Sequence, residues 1–179
     1  MRLLTTLTAL LTLTACTTPQ PQPLPPLPPS TTPTPPPPGL VITLGATDAA
    51  MGLRSLDIQL TNNTGAPAQI NGYPDIRRVL DTNLAPIETT IGHGTNGVAV
   101  VDSFDTPPHP VTLQPGGTAH AALLWRNRVT ETDRKATLGA YLVIAPTPDA
   151  APQTVEPHGG VDLGNTTTLG VSAWKTRTP

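Results

Sequence analysis

Cys16 is the only cysteine in this chain of 179 residues. Without a second thiol there is no intrachain disulfide, and the thiolate zinc motifs, which need several cysteines at short spacing, are excluded as well. Aromatic rings are almost as scarce. Two Trp, two Tyr and one Phe make up 3% of the sequence, so a core has to be assembled from Leu, Val, Ile and Ala. Charged residues reach only 12%, with 10 basic side chains against 12 acidic ones. That balance lacks the basic footprint that phosphate backbones demand, and it rules out nucleic acid as a partner. No apolar run approaches the ~20 residues of a membrane-spanning helix.

The amino terminus is where the composition is most lopsided. Met1-Arg2 is followed by an apolar stretch over residues 3–13, then by Thr14-Ala15-Cys16. A short positive start, an apolar run of about half a bilayer span and small residues at its end describe a secretory signal peptide over 1–15. Leu13-Thr14-Ala15-Cys16 resembles the bacterial lipobox. That resemblance implies cleavage before Cys16, a diacylglyceryl thioether on its sulfur and, often, acylation of the new amino group. Two or more acyl chains give stable anchoring where one gives only marginal binding, at ~0.8 kcal/mol per buried CH₂. The expected address is therefore extracytoplasmic, on the outer face of a bacterial plasma membrane, with the membrane as a partner through the lipid.

Residues 16–39 then form a spacer. Half of the 24 prolines of the chain fall here, among Thr, Gln and Leu, and proline both removes amide donors and fixes φ near the polyproline II value. About twenty such residues at ~3.1 Å each reach roughly 60 Å. The threonines among them also have the composition of an O-glycosylated stalk.

From residue 40 to 179 the pattern changes to alternation with a period of two, broken by Gly, Pro and Asn. Leu56-Asp57-Ile58-Gln59-Leu60 alternates apolar with polar residues, as a half-buried strand does. Further strands are expected at 40–44, 69–71, 76–80, 86–91, 98–101, 111–113, 119–125, 138–144 and 168–174. Asn62-Asn63-Thr64-Gly65, Gly72-Tyr73-Pro74 and Gln114-Pro115-Gly116-Gly117 supply turns, since their residues preset φ or tolerate positive values. One helical turn is expected at 130–135, capped by Thr130. These signals predict an all-β, immunoglobulin-like β-sandwich of about eight or nine short strands, with a barrel as the alternative.

Leu60-Thr61-Asn62-Asn63-Thr64-Gly65, Ile70-Asn71-Gly72-Tyr73-Pro74, Val79-Leu80-Asp81, Leu113-Gln114-Pro115-Gly116-Gly117-Thr118-Ala119 and Leu124-Trp125 together resemble a domain of unknown function. That family is found in many secreted proteins and lipoproteins of high-GC Gram-positive bacteria. The resemblance covers most of residues 40–174 and implies a β-sandwich outside the plasma membrane, with no established activity. Members commonly carry a cysteine where this chain has Ala68, with a partner later in the chain; neither is present here.

No catalytic, cofactor-binding or metal-binding constellation is expected. Serine is scarce, no Gly-x-Ser-x-Gly elbow occurs, and Ser103 and Ser172 fall in ordinary strand or loop contexts. His93, His109, His120 and His158 lack metal-ligand spacing; alternation puts His120 on the solvated face of its strand, and His93 sits in a loop. Asp102 and Asp105 lack the dense oxygen ligands of a calcium loop. The sequons Asn62-Asn63-Thr64 and Asn165-Thr166-Thr167 are read as accidental matches. The best binding patch is Trp125, Arg126 and Arg128, with Arg134 and Lys135 nearby, where an aromatic face and guanidinium forks would suit a glycan or an acidic envelope protein. Against it stands the plainer reading of a core tryptophan followed by a charged strand end. The function expected is a non-catalytic binding or structural envelope module. A ligand- or metal-carrying lipoprotein is the alternative, and a hydrolase ranks last.

Overall fold

A computed structural model describes residues 37–130 and 133–176. The leader, Cys16 and nearly all of the proline spacer lie outside the described residues, as does the centre of the expected helical turn at 131 and 132.

The described chain is all-β, with fourteen strands and no helix among the described residues. The larger sheet runs, in spatial order, through β1 (Leu40–Ala50), β2 (Leu53–Asn62), β8 (Thr118–Arg126), β13 (Thr168–Val171) and β6 (Thr90–His93), with β14 (Lys175–Thr176) also paired to β8. A second sheet orders β11 (Gln153–Val155), β10 (Tyr141–Ala145), β4 (Asp75–Leu80) and β5 (Pro86–Ile87). Two ribbons complete the set: β3 (Ala68–Ile70) with β7 (Val111–Leu113), and β9 (Thr137–Gly139) with β12 (Val161–Gly164). All pairs are antiparallel except β6 with β13.

Alternation decides which side chains form the core. On β2, Leu56, Ile58 and Leu60 point inward; on the adjacent β8, Ala119, Ala121, Leu123 and Trp125 do the same. They join Ile76, Val79, Leu142 and Ile144 of the second sheet in one buried cluster, which makes the arrangement a sandwich. Each fully buried Leu or Ile contributes about 1.5–3 kcal/mol, and in a chain with one cysteine this packing holds the domain without an intrachain disulfide.

Asn62 ties two loops together at the end of β2. It is fully buried. Its Nδ2 donates to the carbonyls of Ala66 (2.9 Å) and Leu113 (3.0 Å), and its Oδ1 accepts from Thr64 N (3.0 Å) and Thr64 Oγ1 (2.7 Å). Its backbone bonds both glycines of the Pro-Gly-Gly turn: Asn62 N donates to Gly117 O and Gly116 N donates to Asn62 O. The turn does not close a hairpin. It carries the chain from β7, paired to β3, across to β8 in the larger sheet.

The free edge of β1 is closed by a side chain. Gln153 Oε1 accepts from Ile42 N (3.0 Å) and Gln153 Nε2 donates to Leu40 O (2.9 Å), so one amide takes the place of a neighbouring strand.

The strand count exceeds the eight or nine expected for physical reasons. The segment 86–91 divides into β5 and β6, which enter different sheets, and 138–144 divides at Ala140 into β9 and β10. The strand expected at 98–101 is absent: Val98 N donates to Thr95 O in a turn and Phe104 N to Val101 O in another.

Candidate functional site

The expected patch of Trp125, Arg126 and Arg128 is taken apart by the alternation of β8. Trp125 is 1% exposed, packed in the core, and its indole Nε1 donates to Asp162 O at 2.8 Å. It offers no face to a ligand, which corrects the expectation of an aromatic-arginine surface. Arg126 faces outward, its Nε held by Val98 O at 2.9 Å, and Arg128 is exposed where the chain bridges to Gly164. The two arginines share a shallow hollow of about 210 Å³ with Val98 and Thr166, whereas Arg134 lines a separate one beside Asp133.

A second constellation, absent from the sequence reading, lies on the outer face of the larger sheet. His120 does fall on that face, as alternation requires, but its side chain is only 15% exposed. Cross-strand neighbours explain this: in register, Gln59 lies opposite on one side and Lys175 on the other. Asp57 reaches diagonally, placing Oδ1 at 3.1 Å from His120 Nδ1, while Gln59 Nε2 donates to Asp57 Oδ2 at 2.7 Å. Space for that carboxylate comes from β1, whose register shifts between Leu44 and Thr47. A Cβ on Gly45 would sit 2.6 Å from Asp57 Oδ2, so any larger residue there would displace the carboxylate from its present seat. With Nδ1 turned to the carboxylate, His120 leaves Nε2 for other partners. The resulting groove of about 460 Å³ is lined by Asp48, Ser55, Asp57, His120, Lys175 and Thr176, among others. Its lining combines carboxylates, hydroxyls, an imidazole and one cation.

The remaining candidates disperse. His93 closes β6 instead of lying in a loop, and stacks on Tyr73 with ring centroids 3.9 Å apart and planes 6° from parallel. His109 lines a small hollow with Ser103. No three His, Cys, Asp or Glu side chains converge as a metal site among the described residues. Asp105 is spent on Thr95, accepting from its N at 2.8 Å and its Oγ1 at 3.1 and 3.2 Å. Asn62 and Asn165 are 0% and 1% exposed, so neither sequon presents its amide to a glycosylating enzyme.

The sequence does hold one Ser-x-x-Lys spacing, Ser172-Ala173-Trp174-Lys175. On a helix this brings hydroxyl and amine together, but here the residues span the irregular link between β13 and β14, where three residues stand against two of β8. Ser172 is buried, and its Oγ accepts from Ala122 N at 2.9 Å while its own N–H donates to Ala122 O. It splices strands together.

Fold and surface together define an all-β sandwich domain with a polar groove on one sheet face. The chain belongs to the family described as Domain of unknown function (DUF4232), whose model matches residues 36–175. No curated protein and no solved structure matches it.

Proposed function

We propose that the chain is a lipid-anchored envelope lipoprotein whose sandwich is a non-catalytic binding module, with the groove around His120 as its contact surface. The address rests on the leader 1–15 and on Cys16. The binding reading rests on one observation: the Gln59–Asp57–His120 chain is held in place on an outward sheet face, at a glycine bulge made to fit it. A polar chain on an outer face adds little to the core, and side chains fixed by hydrogen bonds before a partner arrives lose less entropy on binding.

Two measurements test the reading. Cys16→Ala should move the protein from the detergent-extractable membrane fraction to the soluble or secreted one; unchanged membrane association overturns the anchor. A photo-crosslinking residue in place of Lys175 should give a discrete adduct on intact cells that His120→Ala removes. A cross-link pattern indifferent to His120→Ala overturns the groove as the contact surface.

A further inference from the structure

A separate cleft lies between the link from β3 to β4 and the end of β6. Its volume is about 330 Å³, near the lower end of the roughly 300–1,000 Å³ range of small-molecule sites, so it holds one ring and not a chain of them. Ile76, Ile91 and Val171 supply an apolar wall, and the stacked rings of Tyr73 and His93 stand in it. Three of the five aromatic rings in the chain, Phe104, Trp125 and Trp174, are buried. Tyr73 is one of the two that are not, and it is the one that stacks with a histidine.

Polar groups converge on the same place. The Asn71 amide, the Tyr73 hydroxyl and the His93 ring nitrogens have no hydrogen-bond partner among the described residues. Asp75 commits Oδ2 to Arg77 Nε at 2.8 Å and leaves Oδ1 open, with the side chain 31% exposed. The frame beneath them is fixed. Gly72, at φ +97°, turns its carbonyl to accept from Trp174 N at 2.9 Å, which sets Tyr73 in position. Gly94 N donates to Val171 O at 2.8 Å directly after His93, and Arg77 Nη2 donates to Pro148 O at 2.9 Å on the opposite lip.

An apolar wall with a stacked aromatic pair, edged by free donors and acceptors, matches a ligand that is apolar on one face and ringed with hydroxyls. From this we infer that the cleft is a binding subsite for a single pyranose ring of a glycan. Tyr73 and His93 give the platform, while Asp75 Oδ1 and the Asn71 amide receive the hydroxyls. The inference deepens the binding-module reading and rests on it for where the glycan is met, although the site is distinct from the His120 groove.

The test uses the full-length chain in a detergent without a sugar head group, with methyl glucoside, methyl mannoside and methyl N-acetylglucosaminide as probes. One ring buries little area, so affinity should be weak, about 1–10 mM. Saturation-transfer NMR should mark the ring C–H protons of at least one pyranoside. Tyr73→Ala should abolish the transfer, Tyr73→Phe should keep it, and His93→Ala should weaken binding roughly tenfold. If Tyr73→Ala fails to fold, the exposed His93 decides. No transfer to any pyranoside at about 10 mM, transfer to indole but not to sugars, or transfer undiminished in His93→Ala overturns the inference. The Cys16→Ala fractionation answers separately for the address, so the two readings fail independently.

Discussion

Replacing Asn62 by alanine should be among the most damaging single changes outside the apolar core. The side chain is fully buried and makes four hydrogen bonds that join its own loop to the end of β7. Alanine removes all four and leaves their partners to find others. Thr64 and the Ala66 carbonyl lie near the surface, where water replaces the lost partner at small cost. The Leu113 carbonyl does not: its bond to Asn62 Nδ2 is wholly buried, and a buried acceptor stripped of its donor costs about 1–3 kcal/mol. With the loosened turn added, the expected loss is about 2–4 kcal/mol, a large share of the ~5–15 kcal/mol that holds a domain of this size. Equilibrium unfolding in urea reads it directly, since Trp125 and Trp174 are both buried and report exposure by fluorescence. For m near 2 kcal/mol/M the midpoint should fall by about 1–2 M. The adjacent Asn63 is the control: its Nδ2 makes one exposed bond to Pro37 O, and Asn63→Ala should stay within about 0.5 kcal/mol of the parent. Equal midpoints for the two variants would refute the claim that Asn62 binds the loops together.

Three more outcomes follow from the geometry. Met51 leads a two-residue hairpin turn at φ +45° and is 98% exposed, so Met51→Asn should raise stability by about 1 kcal/mol in the same urea assay, because Asn-Gly suits a turn with positive φ at both positions. Gly45→Ala should push the Asp57 carboxylate off His120 and shift the imidazole resonances, while thermal stability falls only modestly; unchanged resonances would count against the glycine as the carboxylate's seat. Trp125→Ala should cost about 3–5 kcal/mol, whereas Arg128→Ala, at the exposed strand end, should cost under about 0.5; a reversed order in urea would restore Trp125 to the surface.

The strands that alternate cleanly were legible from sequence. Residues 56–60 give β2 its inward Leu56, Ile58 and Leu60 and its outward Asp57 and Gln59, and the same rule puts His120 outward on β8. Alternation failed where it was not the deciding force. Val98, Ala99, Val100 and Val101 read as a strand, yet the backbone is spent on turns and Val100 stands 93% exposed. Gln153-Thr154-Val155 was too short and too polar between its prolines to register, although β11 edges a sheet. Val161-Asp162-Leu163 does alternate, and was missed between Gly160 and Gly164. The groove and the cleft were beyond reach for another reason. Asp57 and His120 stand 63 residues apart, and only the register of β2 on β8 joins them. Tyr73, in a loop, meets His93 at the end of β6, and the local course of both depends on Gly72 and Gly94 accepting positive φ.

The amide of Gln153 has a consequence for crowding. A sheet edge is a template, and its unpaired N–H and C=O groups recruit any extended chain that drifts past. At Leu40 and Ile42 that template is already occupied by a group that cannot itself be extended, since a side chain has no next residue to offer. An incoming strand would have to expel it, exchanging two good hydrogen bonds for two others with no gain. Farther along β1 the register shift between Leu44 and Thr47 bends the ladder out of line with any flat newcomer. Where many copies pack side by side, this edge of the larger sheet would thus be a poor place for another chain to add on, blocked by one glutamine and one bulge.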